Sequence, residues 1–317
     1  MSFGDDCYYL EAVSGDGGNH TSSVWWLSPD IILNGGTDQA NQSGPNTVDV
    51  RIHVQPCATF ATEVAYIDVY VGDPSLVMTP TGNTTKLTND PNDLARPEVT
   101  VPHTPPIGPT LVTFTWLNGG TAVEAPGHKC LIAQIYPGFE SPSTTTFDLP
   151  TEQHVAQRNI TILMDNPNPD IQANTINPNP KGKELVTVRA VADLKPAKHV
   201  LQAARNALRT VPAFKRLRTT GVPPFAMEFK GLRDVRLTNN SEKPSAKGNY
   251  GRLKVPNCEA RFELKPKQKT KFKFHVNLEE ANYGDAFIFH LMHLDSKQRV
   301  IGGLTVIAVR TKKETPK

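Results

Sequence analysis

Apolar residues recur at every second position in short runs along this chain, and Gly, Pro or Asn closes each run before it can lengthen. That pattern points to β-strands, because an amphipathic helix needs apolar residues three and four apart. In Val48-Asp49-Val50-Arg51-Ile52-His53-Val54 the aliphatic side chains share one face, and Asp49, Arg51 and His53 share the other. In Ile67-Asp68-Val69-Tyr70-Val71 the same period turns Ile67, Val69 and Val71 toward a core and Asp68 and Tyr70 away from it. With 27 Pro and 22 Gly, turns must be frequent and long helices few. Strands are expected at 24–33, 47–55, 65–71, 110–116, 130–136 and 154–163, the number and spacing of a two-sheet sandwich. The Pro/Thr/Asn stretch 73–109 reads mostly as loop.

At 317 residues the chain exceeds what one hydrophobic core usually serves. Its charge shows where to divide it. Residues 1–163 carry 5 Lys and Arg against 17 Asp and Glu, a balance of −12, and residues 164–317 carry 29 against 14, a balance of +15, leaving +3 overall. Between them, residues 164–183 hold repeated Asn-Pro turns and almost no apolar content, the composition of a semi-extended linker. The reading is all-β: an acidic immunoglobulin-like sandwich over 1–163, the linker over 164–183, and a basic immunoglobulin-like sandwich over 184–317.

The basic half opens with a strand at 184–191, and strands return at 226–229, 234–237, 259–264, 271–278, 286–294 and 300–309. The region 195–218 breaks the pattern. There Leu201, Ala204, Leu208 and Val211 fall at helical spacing, and Ala203, Ala204 and Ala207 add propensity, so one amphipathic helix is expected before Pro212.

The first half resembles bacterial immunoglobulin-like domains related to the cell-adhesion CARDB modules, over residues 24–163. The residues that carry the likeness are Trp25-Trp26-Leu27-Ser28-Pro29-Asp30-Ile31, Pro45-Asn46-Thr47-Val48, Asp73-Pro74-Ser75, Pro126-Gly127-His128-Lys129-Cys130-Leu131-Ile132-Ala133 and Val155-Ala156-Gln157-Arg158-Asn159-Ile160-Thr161. The resemblance implies the sandwich architecture and a place in surface, secreted or assembly-associated proteins, with no enzyme chemistry attached. It departs from antibody domains at His128, which stands two before Cys130 where a tyrosine corner would need Tyr. In the second half, Lys265-Pro266-Lys267-Gln268, Ala281-Asn282-Tyr283-Gly284-Asp285 and Gly302-Gly303-Leu304-Thr305-Val306 look like the hairpin and last strand of another such domain.

Enzyme motifs do not appear: there is no GxSxG elbow, no HExxH and no phosphate-binding glycine loop, so no enzyme, cofactor or small-molecule substrate is expected. No metal is expected either. His290 and His293, three apart on a strand, point to opposite faces, His128 and Cys130 lack a third ligand, and Asp165, Asn166 and Asp170 lack the spacing of a calcium loop. Cys57 and Cys130 are separated compatibly with an inter-sheet disulfide. The N-terminus lacks the basic and apolar regions of a secretion signal, which favours thiols and synthesis in the cytoplasm, with the final location open to the exterior or a larger assembly.

Two cationic clusters remain. Lys198, Gln202, Arg205 and Arg209 follow helical spacing, and Lys215, Arg216 and Arg218 extend the charge past Pro212 with no acid from Lys195 to Thr220. Lys265, Lys267, Lys269, Lys271 and Lys273 alternate along one strand face, either as a binding surface or as protection of a sheet edge. With Trp25 and Trp26, these are the candidate interface residues. The expected role is a structural or interaction protein whose acidic domain meets the basic domain of another copy or of a partner protein. The rival is a basic domain that docks on nucleic acid or an anionic membrane. Phe214 and Phe225 flank the cluster without the interleaved pattern typical of nucleic-acid modules. A third reading, ranked below both, is a hydrolase or carbohydrate binder on a sandwich, which would need a concave cluster of Trp116, Tyr136 or His residues.

Overall fold

The computed structural model describes residues 8–20, 22–36, 45–55, 62–80, 83–87, 98–102, 108–116, 130–137, 147, 152–163, 169–179, 181–209, 211–229, 232, 235–240 and 256–311. The chain forms two units, one of Met1–Asp73 with Thr79–Asn159 and one of Pro74–Met78 with Ile160–Lys317. Both are β-sandwiches, and one helix interrupts the second among the described residues.

The first unit contains β1 (Tyr8–Tyr9), β2 (Ile31–Leu33), β3 (Asn46–Val54), β4 (Thr62–Gly72), β5 (Thr84–Lys86), β6 (Glu98–Pro102), β7 (Thr110–Trp116), β8 (Cys130–Pro137) and β9 (Val155–Arg158). One sheet is organised around β3, which pairs with β1, β2 and β7, and the other runs β5-β4-β8-β9 with β6 also on β4. Alternation on β3 and β4 does what the sequence pattern requires. Val48, Val50, Ile52, Ile67, Val69 and Val71 are buried in one shared core. The opposite face of β4 departs from expectation, because Asp68 and Tyr70 are buried there too: Lys86 Nζ lies 2.5 Å from Asp68 Oδ1, and Phe147 packs edge-on against Tyr70.

The expected strand 24–33 narrows to β2, with an isolated bridge at Leu27 and turns before it. Trp25 and Trp26 therefore do not alternate between core and surface. Both are buried, packed edge to face at 5.6 Å, and neither is available as an interface residue. Cys130 is a buried thiol at the start of β8 whose Sγ donates to Asn159 Oδ1, not half of a disulfide. Cys57 and His128 lie outside the described residues.

The second unit contains β10 (Ile160–Leu163), β11 (Asp170–Ile176), β12 (Glu184–Ala192), α1 (Lys198–Leu208), β13 (Arg216–Leu217), β14 (Phe225–Phe229), β15 (Arg236–Asn240), β16 (Asn257–Leu264), β17 (Lys269–Val276), β18 (Asp285–Leu294) and β19 (Val300–Val309). A large sheet runs β10-β19-β18-β12-β16-β15, with β13 also on β18, and a small sheet runs β11-β17-β14. Phe287, Phe289, Leu291, Leu304 and Val306 of the large sheet meet Phe272, Phe274 and Met227 of the small one in a single core. Every residue of β18 is buried, which accounts for its near-continuous apolar sequence.

Helix α1 buries Val200, Ala203, Ala204, Ala207 and Leu208 and packs on β10. The buried stripe therefore centres one residue away from Leu201, which is half-exposed.

Two boundaries move. The strand expected over 154–163 divides at Asn159 into β9 of the first unit and β10 of the second, where β10 pairs parallel with β19. The stretch 164–183, expected as a linker, carries β11, whose Ile171, Ala173 and Ile176 are buried and whose full length pairs with β17. Asp165 and Asn166 lie outside the described residues.

Most informative is Pro74–Met78, which falls inside the stretch expected to be loop. It belongs to the second unit: Leu76 N donates to Asn174 O at 2.9 Å, Asn174 N to Pro74 O at 3.0 Å, and the Leu76 side chain is buried in the second core. Residues 74–78 and 160–163 carry no charged side chain, so redrawing the boundary leaves the −12 and +15 balances unchanged.

Candidate functional site

Part of the positive charge of the second unit is matched by carboxylates of that unit, in the described pairs of Lys183, Arg189, Arg216, Arg218, Arg261, Lys273 and Arg299. Asp285, at the start of β18, is 2% exposed and receives Arg216 Nε at 2.6 Å and Arg218 Nη1 at 3.8 Å. Burial works to raise its pKa, but the Arg216 and Asn282 hydrogen bonds and the Arg216 and Arg218 charges outweigh it and hold the carboxyl below its usual range. Lys215 Nζ sits 4.6 Å over the Tyr283 ring. The cluster expected at 215–218 is thus a folding contact that fastens β13 to β18, and not a free anion site.

Glu259 on β16 makes a second such clamp. It is 5% exposed, with Arg189 Nε 2.8 Å from Oε2 and Arg261 Nη2 2.7 Å from Oε1. Burial opposes its ionisation, and the two guanidinium groups overcome that and lower its pKa. Glu259→Gln keeps the shape but removes the charge that both arginines face. We expect a loss of about 2 kcal/mol in urea denaturation at pH 7, with the difference shrinking as the wild-type carboxylate protonates at lower pH.

The histidines of β18 divide between its two faces. His290 Nε2 lies 2.9 Å from Asp193 Oδ2 and its Nδ1 3.1 Å from Thr305 Oγ1, a hydroxyl–imidazole–carboxylate line. Its imidazole and Thr305 are both 0% exposed, so no substrate reaches it and it acts as a satisfied polar network in the packing. His293 faces the interior between the sheets, with Nδ1 2.6 Å from Thr175 Oγ1.

Several exposed cations have no carboxylate partner among the described residues, Lys181, Lys195, Arg236 and Lys297 among them, and two groups of these cations coincide with the clusters expected from sequence. On α1, Lys198, Arg205 and Arg209 are exposed, the helix has no acid in its first turn, and no described carboxylate pairs with these side chains. On β17, Thr270, Phe272, Phe274 and Val276 point into the core, which forces Lys269, Lys271 and Lys273 outward. Lys265 and Lys267 belong to the preceding turn, where Lys267 adopts a left-handed φ of 56°. The ladder is therefore three strand lysines followed back by two turn lysines.

Because β17 is the central strand of the small sheet, with β11 and β14 on its two sides, these lysines do not protect an edge. Lys269, Lys271 and Lys273 line an open cleft of 560 Å³ together with Gln172 and Gln268. Lys273 is tied to Asp170 at 3.0 Å, and Lys269 and Lys271 are exposed with no described carboxylate in pairing range. Glu228 of β14 is the one acid lining the cleft among the described residues.

No protein-family model and no curated protein matches the chain. Among solved structures it is similar to the collagen adhesin of S. aureus, at 8% identity and a TM-score of 0.23 over 88% of this chain and 91% of that one. It is also similar to the BSP domain of a biofilm-associated protein, at 8% identity and 0.24 over 88% and 58%, and to the collagen-binding domain of the Erysipelothrix rhusiopathiae surface protein RspB, at 7% and 0.20 over 89% and 96%. The likeness is to bacterial adhesin sandwiches in general, and the narrower CARDB relation expected for residues 24–163 has no counterpart among them. Likenesses this distant carry neither ligand nor partner to this chain.

Proposed function

We propose that the chain is a structural or interaction protein whose basic unit binds an acidic protein surface, and that the acidic unit of a second copy is such a surface. The observation that carries this reading is that Lys269 and Lys271 are exposed with no carboxylate partner among the described residues. Asp170, Glu259, Glu263, Asp285 and Asp295 each hold a cation, whereas these two lysines, without such a partner among the described residues, stand two residues apart on a central strand. A sheet fixes the spacing of the lysine stems though not their flexible ends, and opposed surfaces speed encounter. The two surfaces differ on one chain, so the contact is head to tail and propagates into rings or open filaments. No aromatic side chain is among the exposed large apolar residues described, which favours a protein partner over single-stranded nucleic acid.

Sedimentation velocity of the full chain across a salt series tests the reading. At low ionic strength the weight-average sedimentation coefficient should rise with protein concentration. At about 1 M salt, where the screening length falls to about 3 Å, it should return to that of the monomer. A monomer at every concentration in low salt sinks self-association.

A further inference from the structure

The first unit brings together three side chains that no motif joins. Glu11 follows β1, Asp30 precedes β2 and His53 lies near the end of β3, and one donor atom from each falls within 4.8 Å of the others. We propose that Glu11, Asp30 and His53 form a binding site for a divalent transition ion of the zinc type. The donor chemistry is mixed, with two carboxylate oxygens and one imidazole nitrogen, and imidazole in the set selects zinc-like ions over calcium or magnesium.

The donors are held in place before any ion arrives. His53 Nε2 lies 2.8 Å from Asp30 Oδ1, and Glu11 N donates to Asp30 Oδ2 at 2.6 Å. Gly15 N donates to Glu11 Oε2 at 3.0 Å, and Ser28 Oγ donates to Glu11 O at 2.5 Å. The Tyr9 ring stacks on His53 at 5.2 Å and 16°, fixing the plane of the imidazole. Asp16 accepts from the amides of Ala12, Val13 and Gly18, which braces the turn that carries Glu11. Supporting contacts of this kind orient metal ligands and raise affinity.

The charge and the access also fit. Asp30 is 1% exposed, and the one cationic partner described for its side chain is the neighbouring imidazole. Glu11 adds a second carboxylate at the mouth. Glu11 and His53 are each half-buried, so the site opens to solvent on their side and leaves room for water as a further ligand. Ligands on a zinc-type ion at about 2.0–2.2 Å stand roughly 3–4 Å apart, so donors up to 4.8 Å apart need to close by about 1–2 Å at most. Binding would replace the proton on His53 Nε2, with release of that proton to solvent.

The test uses the full chain, stripped with a chelator and titrated with Zn2+ alone by calorimetry, with Co2+ absorption as a report of coordination. The wild type should bind one equivalent, and the bound cobalt should give the intense visible bands of a low-coordinate site. His53→Gln and Glu11→Gln, both at half-buried positions, should each weaken binding about 100-fold or more. Far-ultraviolet circular dichroism confirms that the variants are folded. Absence of a saturable equivalent in the wild type, or affinity left unchanged by either substitution, would overturn the site.

Discussion

Gly302→Ala should destabilise the second unit by about 3 kcal/mol or more, the range of severe overpacking. A Cβ on Gly302 would stand 1.9 Å from Leu76 O and 2.7 Å from Leu76 C, and both are backbone atoms that cannot rotate aside. The reason lies in the topology. Pro74–Met78 passes over β19 while bound to β11 through Leu76 N to Asn174 O and Asn174 Nδ2 to Pro74 O. Moving the segment to admit a methyl group would break these bonds and lift Leu76, which is 0% exposed, out of the core. Urea denaturation followed by far-ultraviolet circular dichroism measures the loss. All three Trp lie in the first unit, so tryptophan fluorescence follows that unit separately. A Gly302→Ala protein with wild-type stability would contradict the placement of Pro74–Met78 on β19.

The second large effect concerns acid. His293 is 0% exposed, its Nε2 has no hydrogen-bond partner among the described residues, and burial pushes its pKa down to about 3 from 6.5, against a smaller opposing pull from Asp295. The unfolded chain therefore takes up a proton at this residue as pH falls below about 6.5, while the folded chain refuses it until about pH 3. The unfolded state binds more protons throughout that window, so stability falls with pH by about 1.4 kcal/mol per unit from this one group. His293→Phe removes the linkage. At pH 7 the variant should be the weaker protein, having lost the Thr175 contact. Between pH 7 and pH 4 the wild type should lose about 3 kcal/mol relative to the variant, so the two curves converge or cross. The lowered carboxyls of Asp285, Glu259 and Asp295 add a further loss below their own unfolded values, common to both proteins. Parallel stability curves over pH 4–7 would mean that His293 protonates equally in both states.

Periodicity made the sandwiches legible. The aliphatic run of β3 and the Lys-Phe alternation of β17 each have one face against a core, and a half-buried strand cannot hide its period of two. The α1 region was readable for the same reason, since Ala203, Ala204 and Ala207 and the break at Pro212 leave few alternatives. Pro74–Met78 was not, because a five-residue segment bound through backbone atoms leaves no period, and its surroundings are rich in Pro and Thr. The strand β11 hid for a related reason: Asn and Pro flank it on both sides, and its buried Asn174 and Thr175 read as polar. Trp25 and Trp26 misled because adjacent aromatics in a turn can both point inward, which adjacent strand residues do not.

The interaction surface was half legible. The abundance of cations is a property of composition, whereas their availability depends on which carboxylates fold against them. Arg216 and Arg218 look as free in sequence as Lys269 and Lys271, yet Asp285, about seventy residues away, claims both. Glu11, Asp30 and His53 converge from three separate elements, and their spacing of 19 and 23 residues matches no ligand motif.

The most direct measurement is sedimentation velocity at low ionic strength on wild type and on a Lys198→Glu, Arg205→Glu, Lys269→Glu, Lys271→Glu variant. All four side chains are exposed and none pairs with a described carboxylate, so the variant should fold and remain monomeric while the wild type forms larger species. Equal association by both proteins would place the contact elsewhere and contradict the account.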